Sequence, residues 1–588
     1  MKDNLQIPYG VADFKTLRRD RLYYIDKTGF IPTLEQAGRF LFFVRPRRFG
    51  KSLMASMLRC YYDCAEKDNF DKLFGGLDIA KNPTENKSRY QVLALDFSCV
   101  IPSPNATLQQ RFEEYLGVCL DVFAMKYESG YGKGFADSVK GLSTQAKFSK
   151  IAETAKANGF PLYLLLDEYD NFTNQMLRAE GNEPYRDITH GQGFYRSWFK
   201  LFKAAFDRIY MTGVSPVTMD DLTSGFNIAT NISQDARFNT MLGFSEADVL
   251  QLYTDFKGTG RYSEGEPADY VRLIKPWYDG YCFSTRKIGK ESVFNSDMAL
   301  YFLGSLVATG EPPEDWVDRN IRTDYDKLQM IADIQHRIDR AKDIDSGGED
   351  VLPIIERLAA EKQLVFDLVD SFPADKIPAP ENFRSLFHYY GILSMAGRER
   401  GRTVFKIPNI CVERQLFDYL RGAYKRKREP RWDVLGDLAA AFAYDGEWKP
   451  FLERLASDLK DTQPVRGSIE RETRIQGYMQ CEFGHLKYYL ARPEMELNRG
   501  YCDFALFPER VHYGDAAHSY LIELKHSPID ATDAELAAKY DEALKQLARY
   551  RADRAVPSLA RGTTLHQIVY QFKGDDLVRA EQIAEEAM

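Results

Sequence analysis

A basic run that ends in Gly-Lys-Ser occupies residues 45–52, near the start of the chain. It follows the apolar residues 40–44, which are typical of a buried parallel strand, and residues 52–62 after it have helical periodicity. Strand, loop and helix in this order predict a phosphate-binding loop. Backbone amides would hold the phosphates, Lys51 would reach the β and γ oxygens, and Ser52 would bind Mg²⁺. Without a ligand, we expect Lys51 to be exposed.

The first position of this loop departs from the usual pattern. Phosphate loops of the type G-x-x-x-x-G-K-[ST] begin with glycine, whereas this loop begins with Arg45. The competing interpretation is a basic loop that caps a helix. The residues that we expect to contact a nucleotide are Arg45, Arg47, Arg48, Phe49, Gly50, Lys51, Ser52 and Leu53.

An acidic pair follows a second apolar strand, predicted at residues 161–166. Asp167 would bind the metal or its water, and Glu168 would act as the general base of an ATPase. Two further strands are predicted at residues 91–95 and 208–211. Thr212 or Ser215, which follow the last of these strands, could contact the γ-phosphate; the alternative for both is a cap or turn residue.

Carboxylates with a lysine also lie on two predicted neighbouring strands near the C-terminus, residues 501–507 and 519–525. The segment between them is expected to be a hairpin turn. Glu523 and Lys525 are two residues apart and share a face, and Asp503 can converge with Glu523 on one divalent metal. Oxygen ligands favour Mg²⁺ or Mn²⁺. Lys525 would orient water or stabilise developing charge at a scissile phosphate.

Further residues support a nuclease site. Gln546 and Tyr550 on a predicted helix resemble the Q-x-x-x-Y element of RecB-like nucleases. Upstream, Glu472 is positioned like the acidic residue that these nucleases carry on their first core helix, with Glu470 as its competitor. Glu496 is a weaker candidate for the same site.

The bulk properties describe an ordinary globular protein of 588 residues with 44% hydrophobic and 28% charged residues. This length predicts about three or four domains. The net charge of −8 neither requires nor forbids a nucleic-acid partner. No apolar run is long enough for a membrane helix, no signal peptide is visible, and the cytoplasm is the default location. The eight cysteines are expected to be buried free thiols rather than zinc ligands or disulfides.

The middle of the chain, residues 245–430, is predicted to be mainly helical. Residues 387–393 followed by residues 403–407 suggest a helix that leads into a strand pair, as in a small winged-helix-like module. The sequence thus predicts an α/β protein with three parts. They are a P-loop NTPase domain with a parallel sheet at residues 1–244, the helical middle, and a C-terminal α/β nuclease-like domain at residues 431–588.

Six short motifs of this sequence follow one another in the same order as in one known family. The chain resembles bacterial AAA-ATPase-like proteins that carry a C-terminal PD-(D/E)xK nuclease-like domain, and Arg45 matches the loop of that family. The resemblance implies a lid or regulatory role for residues 245–430 and a segment around Asp26 and Lys27 that lines the nucleotide site. The motifs are residues 24–28, 45–52, 95–98, 166–170, 212–216 and 277–281.

The leading hypothesis is an ATP-binding and ATP-hydrolysing protein that regulates a Mg²⁺- or Mn²⁺-dependent nuclease acting on DNA or RNA. The resemblance implies a setting in phage defence or toxin-like self-targeting. The alternative is a nucleotide-driven assembly switch whose nuclease-like domain only binds nucleic acid or a partner. A DNA motor is disfavoured, because no second ATPase core or helicase motif set is visible. The oligomeric state is left open, a homo-oligomer included.

Overall fold

The computed structural model describes residues 5–101, 103, 105–171, 194–217, 229–318, 351–373, 376–377, 379–423, 432–461 and 471–583. Two compact units form: the first contains residues 1–349 and 364–410, and the second contains residues 350–363 and 411–588. The three predicted domain boundaries stay a prediction, and the boundary at residue 430 lies outside the described residues.

The first unit is built on a five-stranded sheet in the order β2-β3-β4-β1-β5, with the pairings of β1 to β4, β1 to β5, β2 to β3 and β3 to β4 all parallel. The four strands predicted in this region are confirmed, and β5 is an addition. The strands are β1 (Phe40–Val44), β2 (Gln91–Asp96), β3 (Leu162–Asp167), β4 (Arg208–Gly213) and β5 (Thr230–Asn231).

Helices cover both faces of this sheet, which explains why its central strands are apolar throughout. One face packs on α6, α9 and α10, the last of which buries Tyr195, Trp198, Phe199 and Phe202. The other face packs on α3. The helices up to this point are α1 (Phe14–Arg19), α2 (Ile31–Ala37), α3 (Lys51–Tyr62), α4 (Phe70–Phe74), α5 (Asp78–Lys81), α6 (Leu108–Lys126), α7 (Glu128–Tyr131), α8 (Phe135–Val139), α9 (Thr144–Ala157) and α10 (Phe194–Ala205).

In the rest of the first unit, the described residues form helices and a three-stranded sheet in the order β6-β8-β7. The predicted helix that leads into a strand pair is confirmed, while its winged-helix nature stays a prediction. The elements are α11 (Glu246–Gly258), α12 (Pro267–Tyr278), α13 (Ser296–Thr309), β6 (Gln363–Phe366), α15 (Pro380–Tyr389), β7 (Ser394–Glu399) and β8 (Arg402–Lys406); α14 (Val351–Glu361), which comes between α13 and β6, belongs to the second unit.

The second unit contains a five-stranded mixed sheet in the order β13-β12-β11-β10-β9. β10 pairs antiparallel with β11, which confirms the predicted strand pair, and β11 pairs parallel with β12. The strands are β9 (Tyr489–Leu497), β10 (Gly500–Pro508), β11 (His518–Ser527), β12 (Thr564–Lys573) and β13 (Asp576–Gln582). The helices besides α14 are α16 (Ile410–Ala423), α17 (Trp432–Tyr444), α18 (Trp448–Asp461), α19 (Arg471–Gly484), α20 (Asp533–Arg551) and α21 (Val556–Leu559).

Aromatic and aliphatic side chains hold helices on both faces of this sheet. On one face α20 buries Ala543, Leu547 and Tyr550 against the strands. On the other, the Phe442 and Tyr520 rings stack with 3.9 Å between centroids. Within the part of the chain that the structure describes, none of the helices combines the length and apolar character needed to cross a membrane. All eight cysteines are free thiols. Five of them are buried, as predicted, whereas Cys64 and Cys119 are partly exposed and Cys99 is exposed.

Candidate nucleotide site and candidate nuclease site

The loop at residues 45–50 reverses the chain between β1 and α3. Arg48 and Gly50 adopt left-handed backbone conformations, with φ of 66° and 91°. Glycine takes this conformation without steric cost, whereas arginine is strained by it. The loop therefore has the strand-to-helix setting that the sequence predicts, and Lys51 is the first residue of α3.

Lys51 lies inside the loop rather than at its surface. Its side chain is buried, with the residue 5% exposed, and Nζ donates a hydrogen bond to the carbonyl of Pro46 over 3.0 Å. Burial lowers the pKa of Lys51, and the carboxylates of Glu168, Asp167 and Asp170 oppose that effect. The expectation that Lys51 is exposed without ligand is wrong, because the loop and β3 enclose it.

The acidic pair lies directly beside this lysine. Asp167, the last residue of β3, is buried, and burial raises its pKa while the neighbouring Ser52 hydroxyl and Lys51 lower it. Burial also raises the pKa of Glu168, which has a left-handed φ of 49° and feels the charge of Lys51. The structure thus brings the predicted residues Lys51, Ser52, Asp167 and Glu168 together. This arrangement can hold a phosphate and a divalent cation.

Thr212 reaches the same edge of the sheet from β4. It pairs with Phe43 of β1 and is fully buried. Its carbonyl accepts a hydrogen bond from the Tyr169 amide over 3.3 Å. Contact of Thr212 with a nucleotide stays a prediction.

Asp170 holds the turn after β4, a role that the sequence did not indicate. Its carboxylate accepts hydrogen bonds from the amides of Ser215, at 2.8 Å, and Val214, at 3.3 Å. Tyr169 donates its hydroxyl proton to the carbonyl of Ser215. In the sequence these two residues directly follow the acidic pair and belong to the motif at residues 166–170. They connect the strand that carries Asp167 to the turn that carries Ser215.

The guanidinium of Arg45 is buried away from solvent. It donates to the carbonyls of Val44, Ser233 and Phe238 at 2.9, 2.7 and 3.1 Å. It also lies between the rings of Phe43 and Phe283, 4.2 and 4.1 Å from their centroids. Burial lowers its pKa to about 9. The side chain therefore fixes the loop to the segment after β5, and nucleotide contact by Arg45 stays a prediction.

Arg48 and Phe49 connect the loop to the helical part of the unit. Arg48 pairs with Asp297 at the start of α13, with 3.3 Å between Nη1 and Oδ2. The Phe49 ring contacts those of Tyr281 and Phe283, at centroid distances of 4.9 and 5.6 Å. The motif at residues 277–281 thus packs on the phosphate loop.

A cavity of about 470 Å³ opens beside the loop. Its volume is within the range of small-molecule sites. Lys27 lines it, as the resemblance implied, and Lys27 pairs with Asp248 at 2.7 Å. Its lining combines polar side chains, Lys51 and Ser52 among them, with apolar ones such as Leu242 and Leu300. The lining includes residues 8, 10–12, 17, 23–25, 27, 47–54, 168, 241–244, 296, 297 and 300.

In the second unit, Asp503 and Glu523 lie on adjacent strands. β10 and β11 pair Phe504 with Ile522, and Asp503 and Glu523 come next in that register. The Asp503 carboxylate accepts a hydrogen bond from the amide of Leu524 over 2.7 Å. After burial, the charges of Glu523 and Asp503 are the main causes that raise the pKa of the Cys502 thiol. The carboxylates of Asp503 and Glu523 therefore lie near each other on adjacent strands.

Lys525 is the cation of this site. Its Nζ lies 3.0 Å from Oε1 of Glu523 and 3.8 Å from Oε1 of Glu542. Both Lys525 and Glu523 are largely buried. Across the described residues, no group of three or more His, Cys, Asp and Glu side chains could hold a metal ion. The residues present fit a metal with two protein carboxylates and further oxygen ligands from water or phosphate, as is common for Mg²⁺.

The predicted Q-x-x-x-Y element on α20 reaches this site. Tyr550 donates its hydroxyl proton to the carbonyl of Tyr501 over 2.7 Å. Burial first, and then the charge of Glu523, raise its pKa to about 12. The Oε1 atom of Gln546 is buried and has no hydrogen-bond partner among the described residues. The catalytic role of Gln546 stays a prediction.

The two described acidic candidates upstream of Asp503, Glu472 and Glu496, lie on different elements, α19 and β9. Glu472 is exposed on α19, and its charge opposes the lowering of the His526 pKa by burial. Side chains alternate along β11, so His526 is on the opposite face from Lys525. Glu496 is exposed on β9 and pairs with Tyr501. Glu470 lies outside the described residues, and the role of Glu472 stays a prediction.

The two units define the class of this protein: it combines a P-loop NTPase fold and a PD-(D/E)xK nuclease-like fold in one chain. Residues 8–223 match the family model of AAA-ATPase-like proteins, described as "Predicted AAA-ATPase". Residues 470–582 match the model of the PD-(D/E)XK nuclease superfamily. These two segments are therefore similar to an AAA-ATPase-like domain and to a PD-(D/E)XK nuclease superfamily domain, respectively.

A relative from Azotobacter chroococcum mcd 1, described as an uncharacterized protein in the vnfD 5′ region, is 28% identical over 302 residues. The match covers 50% of this chain and 52% of that protein. This chain thus spans about half the length of the relative that it matches.

Among solved structures, Cdc6p from Pyrobaculum aerophilum is 13% identical, with a TM-score of 0.23, and the match covers 65% of this chain and 88% of that one. The Aeropyrum pernix ORC2 protein, in ADPNP-ADP complexes, is 12% identical, with a TM-score of 0.30 and coverages of 70% and 93%. The Aeropyrum pernix ORC1 protein in complex with DNA is 10% identical, with a TM-score of 0.23 and coverages of 70% and 94%. At these TM-scores the likenesses carry no argument about function.

Proposed function

We propose that the N-terminal site binds and hydrolyses ATP and that its nucleotide state regulates a nuclease in the second unit. The assembly of Lys51, Ser52, Asp167 and Glu168 is the observation that supports this proposal most directly. Taking a lysine and two carboxylates out of water together costs free energy that their mutual attraction only partly returns. A site that receives phosphate and Mg²⁺ explains why these groups are kept together.

In this proposal each residue of the N-terminal site has a separate task. Lys51 leaves the Pro46 carbonyl and donates to the β- and γ-phosphate oxygens. Glu168 takes the proton of the attacking water, and its raised pKa makes it a stronger base than an exposed glutamate. Ser52 and Asp167 would hold Mg²⁺, which supplies charge neutralisation between the phosphates when bound.

The second unit, in the same proposal, cleaves DNA or RNA. Asp503 and Glu523 would hold Mg²⁺ or Mn²⁺, which lowers the pKa of bound water and offsets phosphate charge when present. Lys525 exchanges its contact with Glu523 for one with the scissile phosphate or the attacking water. Tyr550 fixes the backbone at Tyr501, two residues from Asp503. Phage defence or toxin-like self-targeting is the setting that we propose for such an activity.

The ion pair between Lys525 and Glu523 favours a second candidate function. At 3.0 Å it already occupies one carboxylate oxygen of Glu523, a proposed metal ligand. In this alternative, the chain is a nucleotide-driven assembly switch, and its nuclease-like domain only binds nucleic acid or a partner. Such a protein would still bind and hydrolyse ATP.

Incubation of the full chain with panels of DNA and RNA separates the two functions. Each panel is tested with and without ATP, and with Mg²⁺, Mn²⁺ or EDTA. The nuclease proposal expects cleavage that requires the metal, is lost in Lys525→Ala, and changes with ATP in wild type but not in Lys51→Ala. Binding without cleavage under every condition supports the switch. Cleavage that Lys525→Ala retains in full would contradict the proposed site.

A further inference from the structure

A tight turn follows α15 in the first unit. Gly391 has a left-handed φ of 79°. Its amide donates to the carbonyl of His388 over 2.9 Å, and the amide of Ile392 donates to the carbonyl of Phe387 over 2.8 Å. These bonds close the end of the helix in the way that glycine permits. We refer to α15, β7 and β8, residues 380–406, as the hairpin module.

This turn lies against the phosphate loop. A Cβ atom placed on Gly391 would come within 2.8 Å of Cβ and 2.9 Å of Cγ of Pro46, and its next neighbour, in Tyr281, would be at 3.6 Å. The first two distances are shorter than real contacts of such atoms. Pro46 is also the residue whose carbonyl accepts the hydrogen bond of Lys51. One residue of the loop thus contacts both the hairpin module and the lysine that would bind phosphate.

A second set of contacts joins the same module to the loop. The Cys282 amide donates to Oγ of Ser394 over 2.7 Å, and the Met395 amide donates to the carbonyl of Cys282 over 3.3 Å. The adjacent Phe283 contacts the loop through the guanidinium of Arg45. The module therefore supports the loop at Pro46 directly and at Arg45 through residues 282 and 283.

Pro46 limits how the loop can adapt to a change in the turn. Its ring fixes φ, and the two atoms that face Gly391 belong to that ring. A shift of the turn at Gly391 would therefore move Pro46, whose carbonyl accepts the hydrogen bond of Lys51. Such coupling between two elements is reciprocal.

We propose that Gly391 is a positioning residue for the phosphate loop: its turn sets the place of Pro46 and, through it, the affinity of the N-terminal site for ATP. This inference rests on the proposed function insofar as the site binds ATP. Beyond the proposed function, the hairpin module is given a direct part in regulating the nucleotide site. Gly391 itself is not part of the cavity lining given above.

Gly391→Ala and Gly401→Ala form a matched pair of variants that tests the proposal. Both glycines belong to the hairpin module and have left-handed φ, 79° and 87°, so alanine strains the backbone similarly at both positions. Only at Gly391 does the new Cβ meet Pro46, since nothing lies within 4 Å of a Cβ at Gly401. The affinity of the full chain for a fluorescent ATP analogue with Mg²⁺ is measured for both variants and for wild type.

We expect Gly391→Ala to bind the analogue about three- to thirtyfold more weakly than Gly401→Ala, the usual size of an effect on coupling. Gly401→Ala should bind like wild type. Equal affinities of the two variants would overturn the inference and leave the proposed function intact. Failure of wild type to bind any ATP analogue would overturn the proposed function and this inference together.

Pro46→Gly supplies the rescue, because it removes both atoms that a Cβ at Gly391 would strike. In the Pro46→Gly background, Gly391→Ala should cause no further loss of affinity, and the same loss in both backgrounds would overturn the proposal. Should Gly391→Ala alone fail to fold, the double variant must recover a folded protein by thermal melting. A double variant that stays unfolded would show that the conflict is not with Pro46 and would overturn the proposal as well.

Discussion

The ammonium group of Lys51 donates a hydrogen bond to the carbonyl oxygen of Pro46, 3.0 Å away in the same loop. A buried cation needs such an acceptor, and nearby carboxylates of Glu168 and Asp167 also favour its charged form. The lysine is therefore held in place before any phosphate arrives. A phosphate group would replace one acceptor by a stronger, charged one.

Lys51→Ala should abolish ATP binding and turnover in the full chain. The site loses the cation that balances the phosphate charge, and binding should weaken by about a hundredfold or more, since hydrogen bonds to charged groups contribute strongly in buried sites. Titration with a fluorescent ATP analogue measures the loss. Lys200→Ala, at an exposed lysine of α10, is the control and should bind like wild type. Undiminished affinity in Lys51→Ala would contradict the assignment of the loop.

Glu168→Gln should keep nucleotide binding but slow hydrolysis. The amide retains the size of the side chain and cannot accept the proton of the attacking water, a loss of about 10²- to 10⁴-fold for a general base. Single-turnover hydrolysis with Mg²⁺ gives the rate, and Glu153→Gln, at an exposed glutamate of α9, is the control. Hydrolysis at the wild-type rate would remove Glu168 from the mechanism.

The same variant makes a prediction about pH. Burial raises the pKa of Glu168, so its charge destabilises the folded protein once it is ionised. The favourable effect of the protonated form is complete below the unfolded value near 4.5 and is lost as the pH rises through the folded pKa. In nucleotide-free buffer, Glu168→Gln should therefore melt above wild type at neutral pH, and the difference should shrink on acidification. A difference that grows on acidification would contradict this sign.

The elements around the nucleotide site were predictable because their signals are local. The apolar residues of β1 and β3 and the helical period of α3 are visible within a few positions of Lys51 and Asp167. The order of strand, loop and helix then fixes which end of the sheet carries the site. The β10–β11 pair was predictable for the same reason, since Asp503, Glu523 and Lys525 lie within mainly apolar strands.

The sequence did not reveal how far the side chains of the loop are buried. The guanidinium of Arg45, for which nucleotide contact stays a prediction, donates to the carbonyls of Ser233 and Phe238 and lies against the ring of Phe283, all far along the chain. Lys51 is buried beside Asp167 and Glu168, which are also distant in the sequence. Asp170 was overlooked because its partners are backbone amides, which leave no trace in the residue types at positions 214 and 215. Contacts between distant segments decided each of these cases.

Gly213→Ala should destabilise the first unit by about 2 kcal/mol or more, because overpacking at a fixed site forces the surroundings to shift. A Cβ at Gly213 would lie 2.4 Å from Oδ1 of Asp170 and 2.7 Å from the ring of Tyr169. Thermal melting measures the effect. Gly304→Ala, in the interior of α13 with nothing within 4 Å, is the control and should be neutral or slightly stabilising. Equal melting temperatures for both variants would show that the turn after β4 is not tightly packed on Asp170.

Asp503→Asn should remove the divalent metal from the second unit while leaving the fold intact. The amide oxygen can still accept the hydrogen bond of the Leu524 amide, but the charge that attracts a cation is lost. At a Mn²⁺ concentration of about 100 times its Kd, wild type should gain about 2.7 kcal/mol of stability, and Asp503→Asn should gain none. Thermal melting with Mn²⁺ or EDTA measures the difference.

Glu523→Gln should behave differently in EDTA, although it also loses the response to Mn²⁺. Two facing carboxylates alone would repel, so that removing either would be neutral or stabilising. Here, however, Lys525 lies 3.0 Å from Glu523 and 3.8 Å from Glu542, so its contact with Glu523 is the closer one. Glu523→Gln therefore leaves the largely buried ammonium group with a weaker ionic partner. Without metal, Glu523→Gln should therefore have a lower melting temperature than Asp503→Asn. Lys525→Ala, by contrast, should keep the Mn²⁺-induced melting shift and lose cleavage. A Mn²⁺ shift that survives in Asp503→Asn and Glu523→Gln would place the metal elsewhere.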